Sequence, residues 1–245
     1  MAESHGPLEQ FIIKPLLPIK IGNLDISFTN SALWMAIAFT LIVLFLTLSV
    51  RPRALVPSRW QSLAELLYEF IGNLIRDNVG NAGRPYFPFI FTLFVFILFC
   101  NLLGMVPFSF TPTSHIIVTF ALAMVVFLGV TVIAFVKHGV AFFGFFFPAG
   151  VPLYMAPIMI PIEVISYLAR PISLSVRLFA NMMAGHTMLK LFGAFVVMLG
   201  VYAGWAPLAV LVALTGLEIG IAMLQAYVFA ILTCLYLNDA LHLHH

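Results

Sequence analysis

Apolar runs long enough to form membrane helices alternate along this chain with short polar connections, and the first of them, Ser31 to Val50, contains no charged residue. A helix needs about 20 such residues to cross the hydrocarbon core of a bilayer, so the stretch predicts a first span. Asn30 precedes it, and Arg51, Pro52 and Arg53 close it. The period then changes. Trp60, Leu63, Leu67, Phe70, Leu74 and Ile75 recur at helical spacing while Glu65, Glu69, Arg76 and Asp77 take other positions, which predicts an amphipathic helix along the membrane interface. Residues 85 to 136 carry no Asp, Glu, Lys or Arg, which leaves room for two spans. These are expected from about Phe87 to Phe108 and from about Ile116 to Val136, joined by the external connection Ser109 to His115. The segment Val140 to Pro157, rich in Phe, Pro and Gly, is too broken for a span and reads as a loop or re-entrant piece. From Ile158 to Leu237 the apolar character is almost continuous and predicts two long helices turning near Gly200, Gly204 and Pro207.

The fold class expected is therefore all-α: a polytopic membrane protein of about five passes, with one interfacial helix and a final two-helix hairpin. It forms one membrane domain. Residues 1–30 make an external segment, 31–157 the first three spans and their connections, 158–237 the hairpin, and 238–245 a cytoplasmic tail. Composition strengthens this reading, because 63% of residues are hydrophobic and only 8% charged, against about 25% charged in a soluble domain. Arg51, Arg53, Arg59, Arg76 and Arg84 make the connection after the first span the most basic one, which places it in the cytoplasm and the N-terminus outside.

Several function classes are excluded. No basic run with interleaved aromatics suggests nucleic acid, and no HExxH, P-loop or nucleophile elbow is present. Cys100 and Cys234 fall in spans outside any CxxC or Cys/His pattern and read as buried apolar thiols. His242, His244 and His245 read as a solvated tail, so no metal or cofactor is expected. The first 30 residues lack the apolar core and cleavage site of a signal peptide, which leaves insertion to the first span. No repeat of 20 to 50 residues supports an inverted-repeat transporter.

Charge is concentrated in the hairpin, at Glu163, Arg170, Arg177, His186, Lys190 and Glu218. Residues at one height in an antiparallel hairpin have numbers with a common average. His186 and Glu218 average to 202, and Arg177 and Gln225 to 201, both at the expected turn. One register thus sets a His/Glu pair at one level and an Arg/Gln pair deeper in the membrane. At 100° per residue Ser173, Arg177 and Asn181 form a polar stripe with Arg170 nearby, and Glu163 lies within about 40° of it. His186 points to the opposite side of the helix. Gly216 and Gly220 form a small-xxx-small pair on the partner helix.

A fixed charge at the centre of a membrane helix costs roughly 2.5 to 3.5 kcal/mol, so Arg177 asks for a function. It cannot lose its proton. It suits a barrier that repels cations and a latch for a transiently ionised carboxylate, whereas Glu218 and His186 can each take up and release a proton on a path from outside. Glu163 could do the same on a path from inside. The plainer readings are an Arg177 paired structurally with Glu163 or Glu218, and a His186 that only packs. Ser166 and Ser173 can bond their own helix carbonyls. Lys190 and Arg170 can reach opposite interfaces. A self-contained transporter binding an anion at Arg177, and a scaffold whose charges lock helices together, are the rival functions.

The runs SLSVRLFANMMAGH (173–186) and LEIGIAMLQAYVFAILTCLYLND (217–239) resemble the a subunit of the F-type ATP synthase membrane sector, and the similarity continues back to about Trp34 through PFIFTLFVFILFCNLLGMVPF. The resemblance implies a non-catalytic, proton-conducting stator beside a ring of c subunits, with b-type peripheral stalk subunits as further partners and two half-channels serving a carboxylate on the ring. It implies that Arg177 separates the half-channels, with Asn181 and Gln225 as its polar neighbours. His186 and Glu218 then match the outer half-channel pair, and Glu163 with Ser166 the cytoplasmic exit. Many bacterial members swap the acid and the histidine, and this arrangement is similar to mitochondrial and alphaproteobacterial members. A bacterial inner membrane is the expected location, with the mitochondrial inner membrane as the alternative. Some members carry an acid where Gly104 stands, so no proton role is assigned there. The family also implies strongly tilted last helices.

Overall fold

Thr29 and Asn30 start the first span. The Thr29 hydroxyl accepts from the Ala32 amide at 3.4 Å and the Asn30 side chain from the Ser31 amide at 2.9 Å, which satisfies donors a helix start leaves unpaired. In this computed structural model the described residues are 13, 15–18, 20–21, 24–25, 27–50, 58–106, 109–139, 142, 144 and 155–242. Arg51, Arg53, Pro107, Phe108, most of 140–157, His244 and His245 lie outside them, and so do the expectations attached to those residues.

The described residues form six α-helices: α1 (Asn30–Val50), α2 (Arg59–Asn78), α3 (Phe87–Gly104), α4 (Ile116–His138), α5 (Ala156–Ala203) and α6 (Trp205–Leu241). Five segments are long and apolar enough to cross a membrane: Asn30–Val50, Gly80–Gly104, Ile116–His138, Pro157–Gly200 and Trp205–Leu241. The polytopic all-α expectation holds for this body. In the N-terminal segment, two short antiparallel strand pairs are added to it, β1 (Pro15–Leu17) with β4 (Phe28–Thr29) and β2 (Lys20–Ile21) with β3 (Leu24–Asp25).

α2 is capped by Ser58, whose hydroxyl accepts from the Gln61 amide at 3.3 Å. It buries Ala64, Ile71, Leu74 and Ile75 while Trp60, Leu66 and Tyr68 stay exposed, as an amphipathic helix lying in an interface would. α3 stops at Gly104, four residues before the expected end. The Ser109 hydroxyl donates to the carbonyls of Leu103 (2.7 Å) and Gly104 (3.1 Å), so the chain doubles back there. The connection from Ser109 to His115 is therefore no open loop, and Thr111, Pro112, Thr113 and Ser114 are buried against the helices.

The hairpin forms where the sequence places it. Gly200 breaks α5 with φ 60° and ψ −160°, and the chain re-enters helix at Trp205. Pro207 lies inside the first turn of α6, where its missing N–H has no partner to lose. The 37 residues of α6 extend about 55 Å, well beyond the roughly 30 Å hydrocarbon core. α6 packs against α2, α3, α4 and α5, and its Ala222, Ala226, Ala230 and Cys234 are fully buried. Small side chains there let four helices approach one axis.

Two details at the end of the hairpin away from its turn add to the expected pattern. The tail from Asn238 stays helical to Leu241, because Lys137 donates to the Leu241 carbonyl at 2.9 Å and His138 to that of Ala240 at 3.1 Å. These donors at the end of α4 satisfy two of the last carbonyls of α6. Arg170 is held by specific partners at the same end. It pairs with Asp239 at 3.0 Å and lies over the rings of Tyr167 and Tyr236, which joins α5 to α6 by charge and cation–π attraction.

Candidate functional site

Where α5 and α6 face each other below the turn, both ionisable groups point inward. Glu218 is 3% exposed and His186 7%. His186 Nδ1 and Glu218 Oε1 are 2.7 Å apart, so the pair the register predicted is formed. Such closeness depends on Gly185, where an added Cβ would lie 2.6 Å from Glu218 Oε1. The other ring nitrogen, Nε2, meets the Thr111 hydroxyl at 2.8 Å.

Behind Thr111 the polar contacts continue into α3. Thr113 donates to Asn101 Oδ1 at 2.8 Å, and Asn101 Nδ2 donates to the Ala222 carbonyl at 3.3 Å. Four parts of the chain thus converge on one level: α3, the connection after it, α5 and α6. Beside them His115 stacks on Phe110 at 5.0 Å. Burial lowers the proton affinity of His115 below the ordinary histidine range and favours its neutral form.

Deeper in the hairpin, Asn181 Nδ2 donates to Gln225 Oε1 at 2.9 Å. The sequence register set Gln225 level with Arg177, but it bonds instead to Asn181, one helical turn nearer the hairpin's end. Leu174, Ser175, Leu178 and Met182 take the inward face of α5 and turn Arg177 outward, where it is exposed. Among the described residues no hydrogen bond or ion pair engages Arg177, so the structural pairing with Glu163 or Glu218 does not form. Ser166 and Ser173 are exposed like Arg177, and Glu163 is half-buried. Lys190 is exposed near the other end of α5. Both carboxylate oxygens of Glu218 and Gln225 Nε2 are buried without a hydrogen-bond partner among the described residues, Oε1 meeting His186 Nδ1 at ion-pair distance.

Asn101, Thr111 and Thr113 were not singled out by the sequence reading. Asn101 carried a signal, being the one amide in an otherwise apolar span. The two threonines carried none, because hydroxyls in a connection ordinarily bond to backbone or water.

Helices with an acid–histidine pair inside the bundle and a guanidinium on its outer face define a class: polytopic membrane proteins that keep ionisable groups within the bilayer, where such groups mark ion pathways. Residues 32–238 match the ATP synthase A chain family, and the chain belongs to it. It is 62% identical over 245 residues to ATP synthase subunit a of Paramagnetospirillum magneticum, covering 98% of this chain and 99% of that protein. Identity to ATP synthase subunit a of Pelagibacter ubique is 57% over 241 residues, covering 98% and 99%. For the Rhodospirillum rubrum protein of the same name it is 58% over 240 residues, covering 98% and 100%. The alphaproteobacterial likeness drawn from the hairpin motifs agrees with these relatives.

Proposed function

We propose that this chain is the proton-conducting stator subunit of an F-type ATP synthase in a bacterial inner membrane. It presents two half-paths to a ring of c subunits, is held by b-type stalk subunits, and carries out no covalent chemistry itself. The observation that carries this reading is the opposition of two stations on one helix. His186 faces inward onto Glu218, while Arg177, nine residues away, faces outward and is exposed. On this reading the inner pair and the outer charge are connected by a mobile acceptor outside the chain, to which the exposed face of Arg177 is open.

On this reading a proton arriving from outside reaches His186 and Glu218 and passes to a carboxylate on the ring. Oε2 of Glu218, buried and without a partner among the described residues, keeps the lone pairs that would take the proton from water or give it to that acceptor. Arg177 then attracts the carboxylate whenever it is ionised and repels protonic charge trying to pass directly between the two paths. Asn181 and Gln225, bonded to each other, hold polar groups beside the arginine without adding a charge. Glu163, with Ser166 one turn beyond it, serves release toward the cytoplasm. Each proton crossing 100 mV releases about 2.3 kcal/mol, and a barrier at Arg177 makes that energy available only through rotation.

Arg177→Ala tests the barrier. The variant is expected to insert and assemble, to lose proton-driven ATP synthesis, and to leave the membrane leaky to protons. Wild-type synthesis rates in vesicles with confirmed assembly would remove the role assigned to Arg177.

A further inference from the structure

An imidazole ring turned by 180° about its outer torsion occupies nearly the same volume, and that torsion has two broad, roughly equivalent wells. In one His186 offers Nδ1 to Glu218, and in the other it offers a carbon that cannot exchange a proton. Which well is occupied depends on what each edge of the ring meets. The far edge meets Thr111, whose hydroxyl lies 2.8 Å from Nε2 and which is only 4% exposed.

Thr111 is itself firmly placed. Its carbonyl accepts from the Ser114 hydroxyl at 2.6 Å and from the Ser114 amide at 3.1 Å. Two residues on, Thr113 is tied to Asn101 of α3. Gly104 leaves the space that the Thr111 side chain fills, since a Cβ at 104 would collide with it. The connection after α3 is thus pinned at three points, and the hydroxyl it presents is aimed at one ring nitrogen.

We propose that Thr111 is a positioning residue for the proton pair: its hydroxyl holds Nε2 of His186 so that Nδ1 stays directed at Glu218. The inference rests on the proton-conducting role proposed above for His186 and Glu218. With Nε2–H given to Thr111, a proton can move between Nδ1 and Oε1 in either direction without the ring turning. The same hydroxyl serves both protonation states of the pair, because the Nε2 proton is not the one that moves.

Three variants of the assembled complex in membrane vesicles test this, read by proton-driven ATP synthesis with the amount of incorporated subunit measured. Thr111→Val keeps the shape and removes the hydroxyl, and synthesis is expected to fall about tenfold to a hundredfold, the range set by losing a hydrogen bond to a charged group. Thr111→Ser restores the hydroxyl and most of the rate. A purely packing role predicts the reverse order, with Val retained and Ser impaired, and that result overturns the proposal. Glu218→Gln separates the two levels of inference. If it is inactive while Thr111→Val runs at the wild-type rate, only the positioning role fails; if it is fully active, the proton-pair reading fails with it. Should Thr111→Val not assemble, Thr111→Ala removes the same hydroxyl with a smaller side chain. Nitrogen-15 resonances of the His186 ring, identified by their loss in a His186→Gln complex, give a second readout. The Nε2 signal should move in the Val or Ala variant and remain in the Ser variant, and an unmoved signal refutes the contact.

Discussion

Glu218 reaches His186 because residue 185 has no side chain. With a Cβ there, 2.6 Å from Oε1 and 2.8 Å from Cδ, the carboxylate would have to withdraw into a bundle packed too densely to yield freely. Gly185→Ala should therefore lower proton-driven synthesis by about a hundredfold, the scale of a misplacement near 1 Å. Helix propensity favours alanine by up to about 1 kcal/mol, so a loss of activity would run against the local preference. Gly193→Ala is the control, with nothing within 4 Å of the added carbon, and it should retain its rate. The sequence could place Glu218 level with His186 because a single turn fixes which residues of a hairpin share a height. It could not show that Gly185 makes room for Glu218, nor that Thr111 arrives from 75 residues away. Both are contacts between side chains on separate elements, and no periodicity records them. Arg177 was level with Gln225 by number, yet the inward row Leu174, Leu178 and Met182 decides that Asn181 makes the bond.

At the scale of elements, the apolar run lengths carried most of the information, since the bilayer sets one thickness for every span. α1 and α4 begin and end within two residues of their expected limits. α3 ends early for a reason the pattern does not contain, the Ser109 hydroxyl taking two carbonyls at its end. α6 runs past its expected end because Lys137 and His138, a hundred residues earlier in the chain, supply donors for its last carbonyls. The turn between α5 and α6 was legible from glycine, and its backbone explains why. Gly200 holds φ 60° and ψ −160°, a region that a side chain makes strained. Gly200→Ala should destabilise the hairpin by about 1 to 3 kcal/mol. The check is a lower temperature of thermal inactivation, or less subunit incorporated into complexes, with the rate per assembled complex little changed.

For the whole molecule the decisive geometry is the separation of its two kinds of charge. Nine helical residues place Arg177 about 13 Å along α5 from His186, on the face turned away from Glu218. A charge exposed to hydrocarbon costs roughly 2.5 to 3.5 kcal/mol, and a lone chain can relieve it only by drawing in water or headgroups. In the proposed mechanism a carboxylate on a neighbouring subunit would relieve it directly, once for each group that passes. Conduction should therefore belong to the assembly and not to this chain. Purified alone and placed in liposomes with an imposed potential, the chain is expected to carry no proton current above that of empty vesicles. Added ring subunits that co-assemble with it should restore a current that Glu218→Gln abolishes. A current from the chain alone, equal to that of the assembly, would mean that the inner pair and the outer arginine are joined by a route inside the bundle. That outcome would make the protein a self-contained channel and leave the outward guanidinium without the work assigned to it.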